Sequence, residues 1–447
     1  MATTNHGDTP GDSVPGGVAV AGEPTESEQA PDLARTAAPE VLAESLAEYA
    51  RIWFQRVRSG ESGALPVIIG LIALGAYFQI SQRSFLSATN IANLMAQAGW
   101  IITIAMAQTF ILLLGEIDLS VGFNFAIGGT ITVWMVSVAH PYPTWLAILA
   151  GLAVCAAIST IEGLIVVWLK IPSFVVTLAG LLGLNGVLIW LFEKTGKVGL
   201  GGVIQIHNNF ILDLTTGNIT PVLSWVILIA TVALGGAFMI VRDLRRRSHN
   251  LVAPPLGVTV LKIVLMGGIG LVLVLILNTN RGGAFIKLQG VPWVVPIVLV
   301  LLGLTTVLLA RTKFGRYVYA IGGNAEAARR AGINLARIRV LAFTLCGLFA
   351  GITGILFSSL LGSASNNVPG GQYVLYSVAG AVIGGVSLFG GRGRMLGTVL
   401  GGFVVAVIYN GVELLGLGAA GQYMWTAAVL LVAVTLDAVA RRGTVAT

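Results

Sequence analysis

Apolar residues run through this chain in long unbroken stretches, without the strict alternation of a half-buried strand or the single stripe of a soluble amphipathic helix. A bilayer core is spanned by about 20 apolar residues of helix. Twelve runs approach that length, near 64–81, 97–115, 119–138, 144–168, 173–192, 221–241, 258–277, 292–310, 339–361, 374–390, 395–415 and 423–440. The pattern predicts an all-α integral membrane protein, a polytopic bundle of about twelve transmembrane helices. Glycine is dense in 374–390 and 395–415, which makes these the weakest of the twelve runs.

The polar stretches between the runs orient them. With the N-terminus in the cytosol, alternation places Arg51, Arg56, Arg58, Lys170, Arg242, Arg245, Arg246, Arg247, the cluster from Arg311 to Arg339, Arg392, Arg394, Arg441 and Arg442 on the cytosolic side. The outer side keeps only Arg83, Lys194, Lys197, Arg281 and Lys287. Positive charge concentrates on cytosolic loops of membrane proteins, and a single missed span would invert every later loop. The expectation is therefore an even number of spans with both termini cytosolic.

Composition agrees. Of 447 residues 56% are hydrophobic and 10% charged, against about 25% charged in soluble domains. The net charge of +7 resides in short loops between apolar runs, so it reads as membrane orientation and not as a nucleic-acid surface. Residues 1–50 differ: they are rich in Pro, Gly, Ser, Thr and acids, a composition that does not support a packed core. They are expected to form a disordered acidic cytosolic tail, with residues 41–58 able to continue as an amphipathic helix. Residues 51–442 form the transmembrane domain and 443–447 a second cytosolic tail.

Two stretches stand out. The first, Gly115-EIDLSVG to Gly122, places two acids between apolar runs. Asp118 or Ser120 can cap the following helix, satisfying amides that lipid cannot. Equally, this polar break, with neighbouring Asn124, is a candidate for the lining or gate of a translocation path, because broken helices at membrane depth face protein or water. The second is the loop 311–338. Asn324 is suited to an N-cap, AEAARRA to a helix, Gly332 to a left-handed terminus, and Glu326 with Arg330 to an i,i+4 pair. This predicts a short basic helix outside the membrane, held either by anionic lipid or by a cytosolic partner.

Catalytic chemistry is not indicated. His6, His140, His207 and His249 are scattered, Cys155 and Cys346 lie in separate apolar runs, and neither an HExxH nor a GxxxxGK[ST] pattern occurs. No catalytic or metal-binding residue, and no cofactor of this chain, is expected. Three GxxxG pairs, Gly347/Gly351, Gly380/Gly384 and Gly397/Gly401, suit close helix packing, within the chain or across a dimer face. Glu162, Asn185, Asn410 and Glu413 are polar within or near spans. Asn185 and Asn410 are expected to hydrogen-bond between helices, and Glu162 to sit near the inner surface. Lys194, Lys197, Arg281 and Lys287 are either solvated or available to acids of an outer partner.

Four segments in order, GEIDLSVG at 115–122, KIPSFVVTLAG at 170–180, FGRYVYAIGGNAEAARRAGIN at 314–334 and AGAVIGGVSLFGGRGRMLGTVLGG at 379–402, resemble the ribose and xylose permeases of the sugar ABC importer family. The resemblance covers most of residues 64–442. It implies a permease subunit in the bacterial cytoplasmic membrane, paired with a second permease copy and surrounded by membrane lipid. A cytosolic ABC ATPase, the subunit that uses ATP and Mg, would dock on it, and an extracytoplasmic binding protein would deliver the sugar. By position it implies a coupling segment from Gly322 to Gly332 with Asn324, Glu326, Ala328 and Arg329 at its centre, and makes Asp118, Ser120 and Asn124 pathway or gate candidates. The runs 221–241 and 258–277 with the basic hairpin RDLRRRSHN at 242–250 exceed the ribose-type pattern and resemble the longer xylose-type permeases, which favours xylose or another pentose. The alternative is an ion-coupled secondary transporter of a small polar solute, which needs titratable groups near mid-membrane; most acids here lie near span ends or in the tail.

Overall fold

The computed structural model describes residues 51, 65–138, 140–195, 202–249, 253–282, 287–418, 420–428 and 431. The acidic tail 1–50, the residues continuing to position 58 apart from Arg51, most of the last predicted span and the tail 443–447 lie outside the described residues. Among the described residues the chain is helical apart from two three-residue strands, as expected of an all-α membrane protein.

The helices are α1 (Leu65–Ser81), α2 (Ala88–Leu112), α3 (Val121–Met135), α4 (Thr144–Leu169) and α5 (Ser173–Thr195). After strand β1 (Val203–Gln205) come α6 (Asn209–Asp213), α7 (Pro221–Ser248), α8 (Leu256–Leu277), α9 (Val294–Arg311), α10 (Lys313–Gly323), α11 (Ala325–Arg330) and α12 (Leu335–Leu361). Strand β2 (Ser363–Ser365), α13 (Gly370–Ile383) and α14 (Met395–Leu414) follow. β1 and β2 pair antiparallel with Ile204 opposite Ala364.

Eight of the described helices, α2, α4, α5, α7, α8, α9, α12 and α14, are long and apolar enough to cross a membrane. Besides α1, of 17 residues on the run 64–81, two regions expected as full spans differ. The run 119–138 holds α3, of 15 residues, and the run 374–390 lies on α13, of 14 residues. At a rise of about 1.5 Å per residue both are only ~21–23 Å long, short of a ~30 Å core.

The described residues divide into two compact units, those within 239–260 together with Arg51, and the remainder. In the first, Asp243 is fully buried, pairs with Arg242 at 2.9 Å and accepts a hydrogen bond from Thr259 Oγ1 at 2.6 Å. In the second, α2 is the central helix: 89% of its apolar window is buried, against 11% for α5. A helix apolar all round is either core or lipid-facing, and this contrast separates the two cases.

Close approach at glycine holds the core together. A Cβ on Gly347 of α12 would lie 2.3 Å from the Cys155 carbonyl of α4. A Cβ on Gly384 would lie 2.2 Å from the Gly397 carbonyl, and one on Gly401 2.1 Å from the Gly380 carbonyl, so α13 and α14 meet backbone to backbone. The GxxxG pairs therefore pack within the chain. Asn410 of α14 bonds Asn90 Nδ2 of α2 at 2.9 Å and donates to Gln97 at 3.0 Å, the interhelical role expected for it. Asn185, by contrast, is half-buried on α5, and among the described residues no hydrogen bond engages its side chain.

Overpacking a tight contact costs about 1–3 kcal/mol. Gly384→Ala is expected to lower the unfolding midpoint in detergent by that equivalent. Gly303→Ala, whose Cβ would meet nothing within 4 Å, leaves it unchanged. Equal midpoints for the two variants would contradict the backbone contact.

Candidate functional site

Helix α3 starts well inside the layer spanned by its neighbours. Asp118, three residues before it, accepts a hydrogen bond from the Cys346 thiol at 3.5 Å. Cys346 lies 11 residues into α12, ~16 Å along its axis. From the opposite side, the chain leaves α12 at Gly362, in the left-handed conformation with φ 65°, and turns back beside it: the Tyr373 ring lies 5.4 Å from Phe357. The two helix beginnings then abut. A Cβ on Gly122 would lie 2.2 Å from the Gly370 carbonyl, and one on Gly370 2.6 Å from the Phe123 ring. Two half-helices thus enter from opposite sides and meet N-terminus to N-terminus at depth. Non-helical backbone at membrane depth persists only where protein or water satisfies it.

Protein satisfies it here. Asp118 Oδ1 accepts from the Ser120 amide at 2.8 Å, so Asp118 is the cap, while Ser120 makes no side-chain capping bond. The Ser120 hydroxyl instead bridges two carboxyls, Asp118 Oδ1 and Glu162 Oε2, each at 2.7 Å. A hydroxyl has one hydrogen. It can donate to one carboxyl only, so a hydrogen on the other carboxyl would complete both contacts. Gln108 of α2 pairs with both backbone groups of Asp118, donating to its carbonyl at 3.0 Å and accepting from its amide at 3.1 Å. Asn124 donates to Ser159 Oγ at 2.9 Å and to the Cys155 carbonyl at 3.1 Å. Asp118, Ser120 and Asn124 are all fully buried.

The three residues singled out in the DLSVG stretch are therefore brought together. Four others complete the node: Gln108, Ser159, Glu162 and Cys346. Glu162 is buried in it, beneath α5, where a Cβ on Gly180 would lie 2.0 Å from its carboxyl oxygen. Only the lone acid in an apolar stretch of α4 hinted at Glu162.

The second predicted element is present. Asn324 caps α11, accepting from the Ala327 amide at 2.9 Å, and Gly332 has φ 81°. Glu326 pairs with Arg329 at 2.9 Å and Arg330 at 3.1 Å. Bonds from both guanidinium groups hold its carboxyl below the usual value of 4.5. Ala328 is buried, while Glu326, Arg329 and Arg330 are exposed.

The short helices touch the node's approach. A Cβ on Gly322 would lie 1.9 Å from the Leu113 carbonyl and 2.4 Å from the Gly391 amide. Gly391 donates to Leu113 at 2.9 Å, and Tyr319 Oη donates to the Gly393 carbonyl at 2.9 Å. Three residues on, Glu116 forms an ion pair with Arg339 at 2.7 Å. Burial pushes the Glu116 carboxyl up, against the pull of Arg339. One continuous set of contacts links α10–α11 to the carboxyl node. Arg281, a candidate for an outer partner, is engaged by Asn218 Oδ1 of the segment before α7 at 2.7 Å and by the Gly290 carbonyl of its own loop at 3.0 Å. Lys197 lies outside the described residues.

Residues 90–436 match the family described as "Branched-chain amino acid transport system / permease component". The chain is 32% identical over 391 residues to the xylose transport system permease protein of Escherichia coli K12, covering 87% of this chain and 95% of that one. It is 34% identical to the xylose transport system permease protein of Haemophilus influenzae over 386 residues, 83% and 96% of the two chains. To the ribose import permease protein of Bacillus subtilis it is 30% identical over 376 residues, 83% and 92%. No solved structure matches the chain significantly.

The shared hydrogen has a measurable consequence. Glu162→Gln supplies a hydrogen through its amide and is expected to stay within about 1 kcal/mol of the parent, whereas Glu162→Ala leaves buried polar groups unpaired and costs about 1–3 kcal/mol. Thermal unfolding in detergent reads the difference. A glutamine variant as unstable as the alanine variant would refute a hydrogen shared across Ser120.

Proposed function

The chain belongs to the branched-chain amino acid transport system / permease component family, and we propose that it is the membrane-spanning subunit of a binding-protein-dependent ABC importer that moves a monosaccharide into the cytosol, with xylose or another pentose as the favoured cargo. The observation that carries this reading is the contact chain from the exposed helix α11 to the half-helix joint, because an importer driven by a separate motor needs a rigid handle connected to its pathway.

In this reading α10–α11 is the docking element for a cytosolic ATPase, which binds and hydrolyses ATP with Mg. Gly322, Asn324, Ala328 and Gly332 shape it, and Glu326 and Arg329 present charge to the motor. Asp118, Ser120 and Asn124 form the cytosolic gate of the pathway, the capping role of Asp118 being how the gate is held. An extracytoplasmic binding protein delivers the sugar at the opposite face. A second copy of the chain completes the pathway, in the bacterial cytoplasmic membrane with both termini cytosolic. The pentose preference is supported by identity of 32–34% to xylose transport system permease proteins and by the α7–α8 pair, the material that exceeds the ribose-type pattern.

The buried Asp118–Ser120–Glu162 node is also what an ion-coupled carrier would use, and the energy source separates the two. In sealed vesicles holding the chain with its ATPase and binding protein, D-xylose uptake is expected to require ATP. Charge reversal of Glu326 with Arg329 retained is expected to reduce both ATPase retention and uptake. Uptake driven by a proton or sodium gradient without ATP would overturn the importer reading.

A further inference from the structure

On the side of the half-helix joint away from α10–α11 lies a cleft of about 120 Å³, between α3, α12, the segment after β2, α13 and α14. Its polar lining is Thr130, Ser358, Ser363, Ser365 and Asn367, and its aromatic lining is Phe357, Tyr373 and Tyr409. Behind these rings stands Trp100, fully buried, 5.1 Å from Phe357, 4.8 Å from Tyr373 and 6.1 Å from Tyr409. Phe125 and Tyr376 extend the same floor. This aromatic layer directly precedes the Gly122–Gly370 contact, so a solute leaving the cleft toward α10–α11 meets the rings first and the joint second.

We propose that this cleft is a transit site for a neutral monosaccharide, which rests an apolar C–H face on the rings of Phe357, Tyr373 and Tyr409 and exchanges hydrogen bonds with the two tyrosine hydroxyls and Asn367. The proposal rests on the permease reading and adds to it the place and the chemistry of recognition.

Three observations carry it. First, no charged side chain lines the cleft. An amino-acid zwitterion, the cargo class in the family's description, brings one charge of each sign and would be stripped of water here without compensation. A sugar brings only hydroxyls. Second, among the described residues no hydrogen bond engages the hydroxyls of Tyr373 and Tyr409, although each ring is packed on several others. Tyrosine hydroxyls in apolar settings usually find a partner, and each can both donate and accept, as a polyol requires. Third, the mixture is that of a small-molecule site, mostly apolar with a few polar groups that fix orientation. A shallow site with few polar contacts also suits transit, since a pathway site must bind well enough to admit its solute and weakly enough to release it.

The test is ATP-driven D-xylose uptake in vesicles reconstituted with the full chain, its ATPase and its binding protein. Tyr373→Phe and Tyr409→Phe keep the ring and remove the hydroxyl. Each is expected to lower uptake roughly 5-fold, the equivalent of one lost hydrogen bond, with the amount of chain recovered in complex with the ATPase serving as the check on folding. Tyr142→Phe, an exposed tyrosine outside the cleft, is the control and is expected to leave uptake unchanged. If the parent takes up D-xylose and both cleft variants match it, the transit site is wrong while the importer reading stands. If the parent takes up neither D-xylose nor D-ribose under ATP, both are wrong.

Discussion

A helix that begins inside a membrane has backbone amides with no partner of their own and no water to replace one. In hydrocarbon each such group costs several kcal/mol. α3 and α13 both begin this way, and much of the interior is arranged around that requirement. The Asp118 carboxyl takes the Ser120 amide, Gln108 takes both backbone groups of Asp118, and glycine at 122 and 370 lets the two ends approach. Satisfying one helix start therefore recruits α2, α4 and α12 together.

That arrangement has a mechanical consequence. A carboxyl buried to serve as a cap must itself be compensated, and Ser120, Glu162 and Cys346 do so from α3, α4 and α12. Movement of the DLSVG stretch would then be felt by each of these helices. The same stretch is attached at its other end to α10–α11 through Leu113, Gly322 and Gly391. A pull on the exposed helices reaches the joint through backbone contacts, with no long flexible side chain between them. Such coupling is discrete, because close-packed interiors switch between arrangements and do not deform smoothly.

The parts legible in the sequence were those that depend on local chemistry. Membrane residence followed from composition, and the Asn324 cap and the Gly332 terminus followed from the residues three and eight positions apart that need them. Asp118, Ser120 and Asn124 stood out because polar residues interrupt an apolar run. The half-helices did not. A short helix plus a buried extended stretch carries about as many apolar residues as a full span, so 119–138 and 374–390 read as ordinary crossings. Glu162 and Cys346 were equally hidden, because their roles arise from α4 and α12 packing side by side, 42 and 228 residues away from the hydroxyl and carboxyl they bond. The direction of the GxxxG contacts, inward and not toward a second chain, likewise depended on tertiary placement.

If α10–α11 docks the ATPase as proposed, it and the half-helix joint move as one. Hydrogen exchange of backbone amides, compared between nucleotide-free and ATP-bound complexes with the ATPase, tests it most directly. Protection in 113–124 and 370–376 is expected to change together with that in 312–334. Exchange that changes in 312–334 and stays constant at the joint, in a complex that imports sugar, would contradict it.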